Sequence, residues 1–130
     1  MTVAYVESSA LVKLAVAEPE TPDLKGALGA HDRIVSSDLG AIEATRAAWR
    51  RDGDSGAARA RAALLRIFLI PIDRPVIDVA CRLATPTLRS LDAIHIATAL
   101  GLIADGVTFY SYDQRALDAA RAAGLSVASP

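Results

Sequence analysis

The chain has 130 residues, enough for one domain (residues 1–130) that buries roughly two-thirds of the surface its unfolded form exposes. Hydrophobic residues at 52% against 22% charged exclude a disordered chain, and no apolar run reaches the roughly 20 residues needed to span a bilayer. A net charge of −1 excludes binding nucleic acid by bulk positive charge, and the single cysteine, Cys81, excludes an internal disulfide or a cysteine zinc cluster. The N-terminus lacks the basic region, apolar region and cleavage site of a secretory signal, so the expectation is a cytoplasmic protein with no membrane segment.

In chain order, Val3 to Val6 predicts a strand that stops at Glu7, and Ser9 to Ala17 predicts a helix with a serine as its cap. "EPETPDLKGALGA" holds turn residues and a short second helix. "RIVSS" reads as a strand, and "SDLGAIEATRAAWRR" as a helix opened by Ser37 or Asp38. Gly53 and Gly56 are expected to interrupt that helix before a second one, "AARARAALLRIF". "FLIPI" is strand-like, and Arg74 to Ala84 is helical with Pro75 at a tolerated early position. "SLDAIHIATALGLIA" is apolar on nearly every face, the mark of a buried helix. "GVTFYS" is a strand, "DQRALDAARAAG" a helix closed by Gly124, and "LSVAS" a final strand.

Strands alternating with helices of about 10 to 15 residues imply βαβ units and a mainly parallel sheet covered on both faces. In such sheets ligands bind beyond the carboxyl ends of the strands. Glu7 ends the first strand and Asp113 follows "VTFYS" in the same manner, so the two carboxylates are expected at one rim. Each acid also has a purely structural explanation. Asp92 lies in the first turn of its helix, where the macrodipole favours an acid. Asp113 suits an N-cap. Glu43 has Arg46 and Arg50 within helical reach. Glu7 has the weakest explanation of this kind, because an acid after a buried strand is desolvated unless something meets it. Four carboxylates from separated segments suit a hard divalent cation such as Mg2+ or Mn2+. His95, three residues after Asp92, reads as a packed or hydrogen-bonded histidine on a buried helix. His31, in a polar loop, needs no function. Trp49 and Phe68 read as core or interface residues.

"YVESSALVKL", "IEATRA", "RSLDAIHIATAL" and "TFYSYDQRALDAARAAGL" fall in the order and spacing of a PIN domain, and more closely resemble the VapC-type toxin of VapBC toxin–antitoxin modules. The likeness covers essentially the whole chain. It implies a PIN-like three-layer α/β/α fold with a mainly parallel central sheet of four to five strands. It also implies an Mg2+- or Mn2+-dependent endoribonuclease whose four acids fall on Glu7, Glu43, Asp92 and Asp113. Ser8, Ser9 and Ser111 match the small hydroxyl residues the family keeps beside its first and last acids, and Arg115 is the candidate for offsetting phosphate charge. A homodimer and a VapB-type antitoxin partner are implied as well. The alternative is a degenerate PIN-like module that binds RNA or antitoxin without cutting. A phosphatase-like domain would need a nucleophilic aspartate and a second acid close by at the first strand end, which "VESSA" does not supply. The chain departs from the family in carrying Glu7 where aspartate is usual. The extra methylene moves the carboxylate by roughly 1 Å, a scale that costs on the order of 10²-fold in rate if uncompensated. On this reading, removing Glu7 should relieve repulsion among the acids without harming the fold.

Overall fold

The computed structural model describes residues 1–130. Five strands form one parallel sheet: β1 (Val3–Val6), β2 (Arg33–Ser37), β3 (Phe68–Ile70), β4 (Val107–Tyr110) and β5 (Ser126–Ala128), in the spatial order β3-β2-β1-β4-β5. Six helices cover it: α1 (Ser8–Ala15), α2 (Thr21–Leu28), α3 (Asp38–Leu64), α4 (Arg74–Cys81), α5 (Ser90–Leu100) and α6 (Gln114–Ala122). The predicted elements are all present. No helix is long and apolar enough to cross a membrane.

β1 is central, and all four of its residues are buried. An unbroken apolar strand is what a parallel sheet covered on both faces demands. Its side chains still alternate. Val3 and Tyr5 join Phe109, Ile96 and Ala120 in the core under α5 and α6, whereas Ala4 and Val6 join Leu11, Leu24 and Tyr110 under α1 and α2. The chain lays β2 and β3 to one side of β1, then returns to set β4 and β5 on the other. The order therefore reverses at β1 and β4, and the crevice beyond their carboxyl ends is the position favoured for ligands. Val6 lies opposite Tyr110, so the chains leaving both strands, at Glu7 and Ser111, emerge side by side.

α3 is bent, but not by both of its glycines. Gly53 adopts φ 64°, ψ −147°, and there the helix folds back into two arms. Gly56 stays helical and serves a different need: a Cβ at that position would lie 2.2 Å from the Ala48 carbonyl oxygen of the other arm. Trp49 and Phe68 are 49% and 63% exposed, so neither is a core residue. His31 is not idle, since its Nε2 meets the Tyr110 hydroxyl at 2.7 Å.

Candidate active site

Glu7 is the first residue past β1, and its N–H still donates to the Tyr110 carbonyl of β4 at 3.0 Å. It is only 6% exposed. It is also the N-cap of α1, so the cap expected of a serine is supplied by the acid. The serines act as donors instead. The Ser9 hydroxyl reaches Glu7 Oε1 at 2.5 Å, the Ser111 hydroxyl reaches the same oxygen at 2.6 Å, and the Ser9 N–H donates to Oε2 at 3.2 Å. Ser9 Oγ accepts from the Tyr112 N–H and Ser111 Oγ from the Asp113 N–H, at 2.8 and 3.0 Å. Glu7 and the loop carrying Asp113 are thus tied through two hydroxyls.

Glu43, in the second turn of α3, pairs with neither Arg46 nor Arg50. Its side chain faces α5, where its Oε1 meets His95 Nε2 at 2.7 Å and accepts the Ser8 hydroxyl. His95 is 1% exposed, and its other nitrogen, Nδ1, lies 2.6 Å from the Tyr5 hydroxyl. A carboxylate only accepts, so Nε2 carries the proton directed at Glu43 in either charge state of the imidazole. Burial, with the nearby Glu7 charge, pushes the Tyr5 phenol well above its ordinary range, so Tyr5 keeps its proton. Burial by itself would raise the Glu43 carboxyl, but the hydrogen bonds from His95 and Ser8 outweigh it and leave Glu43 below the usual glutamate range.

Asp92 and Asp113 are half-buried. Asp113 caps α6, accepting the Arg115 N–H at 2.9 Å. Asp92 receives no hydrogen bond of this kind. Burial raises its carboxyl first, then the charges of Asp113 and Glu7, with Glu43 adding and His95 opposing. Three of the four sequence-predicted acids, Asp113, Glu7 and Glu43, therefore act on the carboxyl of the fourth, Asp92. Arg115 is exposed and lines a cavity with Asp92.

Sequence reasoning missed the chain Tyr5–His95–Glu43. The available signal was a histidine on an otherwise apolar helix, because a buried polar group requires a partner.

The donor chemistry fits a divalent cation. All four groups are carboxylates, and Asp113 and Glu43 each keep one oxygen outside the hydrogen bonds just described. In this conformation no three acidic or imidazole side chains converge closely enough to ligate one ion. Their nearness is electrostatic, expressed in the raised Asp92.

The PIN domain family model matches residues 4–122. Ribonuclease VapC46 of Mycobacterium tuberculosis strain H37Rv is 42% identical over 130 residues, covering 100% of this chain and 99% of its own. The fold agrees with the crystal structure of Mycobacterium tuberculosis VapC20, described as a sarcin–ricin loop cleaving toxin. The TM-score is 0.73 at 18% identity, over 98% of this chain and 99% of the other. A toxin–antitoxin complex from Klebsiella pneumoniae gives a TM-score of 0.74 at 22% identity, over 98% and 97% of the two chains. With its switch-point rim, its four acids and these relatives, the chain belongs to the PIN-domain family, in its VapC branch.

Proposed function

We propose that this chain is the toxin of a type II toxin–antitoxin pair, a cytoplasmic endoribonuclease that hydrolyses RNA phosphodiester bonds with Mg2+ or Mn2+. The observation that carries the reading is that the carboxyl ends of β1 and β4 bring Glu7 and the loop of Asp113 together through Ser9 and Ser111 at the sheet's switch point, with the charges of Asp113, Glu7 and Glu43 raising the Asp92 carboxyl. A relative 42% identical over its whole length is named a ribonuclease.

Glu7, Glu43, Asp92 and Asp113 would hold the ion. When bound, such an ion polarises a phosphoryl oxygen and makes water a usable nucleophile at neutral pH. The residues divide the remaining work. Ser9 and Ser111 fix Glu7, while His95 and Ser8 fix Glu43. Asp92, whose carboxyl accepts no hydrogen bond, and Asp113, with one oxygen outside its cap bond, keep lone pairs for an ion. Arg115, in the first turn of α6, offsets charge on the phosphate being cut.

A second surface supports the antitoxin partner. Between α1, α2 and the second arm of α3 runs a groove of about 540 Å3, floored by Leu14, Leu28, Ile34 and Ile67 and edged by Lys25, Arg59 and Arg66. An apolar floor with a cationic edge suits an amphipathic segment bearing acids. Ile42, Trp49 and Phe68 are exposed elsewhere and suit a homodimer contact. Light scattering on the antitoxin-free protein at tens of micromolar tests that contact, and a monomer rejects it.

The nuclease reading is tested with antitoxin-free protein, structured RNA and Mn2+ or Mg2+, with and without chelator. Cleavage that chelator stops is expected. RNA retained but uncut under every metal condition would identify the non-catalytic binding module instead.

A further inference from the structure

Beside Asp92 a cavity of about 280 Å3 opens between the chain entering α5 and the first turns of α6. Arg89 and Arg115 form part of its wall, together with the threonines Thr85 and Thr87. Although Asp92 and Asp118 line the same cavity, neither arginine takes part in an ion pair. Asp118 turns to its own helix, accepting from Gln114 at 2.8 Å and from Arg121 at 3.3 Å. Two guanidinium groups are thus left without a carboxylate at the edge of the acid rim.

The inner end of the recess has the opposite character. A second cavity of about 210 Å3 shares Thr85, Leu88, Ala119 and Ala122 with the first and continues against Leu83, Ile96 and Leu100. The recess therefore carries two unpaired guanidinium groups at the end beside Asp92 and is mostly apolar at the other. A nucleotide is divided the same way, into an anionic phosphate and a flat base of low polarity. Guanidinium forks match phosphate oxygens in pairs, and an apolar wall accepts the face of a base.

Resting on the nuclease reading, we propose that this recess is a subsite for one nucleotide of the RNA, adjoining the bond cut at the acid rim. Its phosphate lies against Arg89 and its base over Leu88 and the α6 alanines, while Arg115, at the same wall, stays with the phosphate being cut. The subsite selects which bond reaches the acids, and it contributes to binding rather than to the chemical step.

Two variants test it. Ala122 is exposed on α6, so Ala122→Leu narrows the inner cavity without overfilling the core. With Mn2+, hydrolysis of bis(p-nitrophenyl) phosphate, which has no neighbouring nucleotide, should match the unaltered protein. Cleavage of a defined RNA should fall about tenfold or move to other positions. Arg89→Ala should weaken binding of a fluorescein-labelled single-stranded RNA octamer about tenfold, read by anisotropy. It should also reduce the slope of log affinity against log salt by about 0.7, the value for one lost phosphate contact on a single strand. If Ala122→Leu cuts RNA at the original rate and positions, and Arg89→Ala keeps affinity and slope, the subsite is rejected. The anisotropy arm keeps the two readings separable. An unaltered protein that hydrolyses neither substrate overturns the nuclease reading, while the Arg89→Ala binding result still decides the subsite.

Discussion

Glu7 is 6% exposed and receives three hydrogen bonds from Ser9 and Ser111, whereas Asp92 on the same rim is half-buried and receives none from a side chain. The contrast extends to the other pair. Glu43 is gripped by His95 and Ser8 and lies below the ordinary glutamate range, while Asp92 is pushed up by burial and by the charges around it. Asp113 has only the backbone N–H of its own helix cap. The glutamates are fixed before anything binds, as a functional group held by a supporting shell should be. The aspartates keep their electrostatic conflict, and an added cation relieves conflict of that kind. Preorganisation and strain therefore occupy different carboxylates of one site.

The largest effect that sharpens this comparison is on cleavage. Asp92→Asn should reduce metal-dependent RNA cleavage by more than the ~10- to 100-fold typical of residues that only hold a ligand in place. It should not destabilise the metal-free protein at neutral pH. A carboxyl raised in the folded state contributes stability below its unfolded value and loses it as pH rises through the folded value. At neutral pH the ionised Asp92 is thus a net cost, and Asn removes it. Mn2+ should raise the melting temperature of the unaltered protein by mass action and leave Asp92→Asn unmoved. A large fall in the melting temperature of metal-free Asp92→Asn would mean that the aspartate is structural.

His95 tests the other half. His95→Leu removes the donor to Glu43 and the Tyr5 hydroxyl's partner at 2.6 Å, costing about 1–3 kcal/mol of stability. Cleavage per folded molecule should fall about 10- to 100-fold. His95→Gln keeps a side-chain N–H near the position of Nε2 and should recover much of the rate. His95→Asn, whose amide reaches only toward Tyr5, should recover stability but not rate. Equal recovery of rate by both would show that His95 only fills space.

The strands, the helices and the placing of Glu7 and Asp113 after strand ends were legible because each follows from local pattern. Four apolar residues then an acid mark the end of β1, and the apolar run around Asp92 marks the buried α5. The supporting shell was not legible. Tyr5 and His95 are 90 residues apart, and Glu43 and His95 are 52 apart, so no window of sequence holds both partners. The sheet order alone brings them together. The structural alternative for Glu43, a pair with Arg46 or Arg50, rested on neighbours at i+3 and i+7 that are visible in sequence, yet the helix turns that carboxylate inward to His95 and Ser8. Of the two places expected for Trp49, core or interface, its 49% exposure excludes the core.

Glu7 breaks the simple division between a ligand and a structural residue. The expectation that Glu7→Ala relieves repulsion at no cost to the fold does not survive its hydrogen bonds. Alanine loses the α1 cap, about 1 kcal/mol, and removes the carboxylate to which the Ser9 and Ser111 hydroxyls donate. Glu7→Ala should therefore lower both stability and cleavage. Glu7→Gln should lose cleavage with a smaller loss of stability, because its amide oxygen still accepts. Glu7→Asp keeps an acid that caps well and should retain metal-dependent cleavage. Cleavage by Glu7→Gln equal to that of the unaltered protein, per folded molecule, would remove Glu7 from the ion's ligands.

The smallest expected effect is the most discriminating for the open half of the rim. Asn caps a helix about as well as Asp, so Asp113→Asn should keep the bond to the Arg115 N–H and change stability at neutral pH by only a few tenths of a kcal/mol. Its effect should appear in the shape of stability against pH. Asp113 is, after burial, the largest influence raising Asp92. With that charge gone, Asp92 moves back toward the ordinary aspartate range, and the fall of stability with rising pH ends at lower pH in the metal-free protein. Glu43 provides an internal reference of opposite sign, since its stabilisation is present above the unfolded value and is lost as pH falls through the lowered folded value. Melting curves across the acid range should show the Asp92 limb displaced and the Glu43 limb unchanged. If neither limb moves, the two aspartates do not share a field, and the open half of the rim is only two separate helix ends.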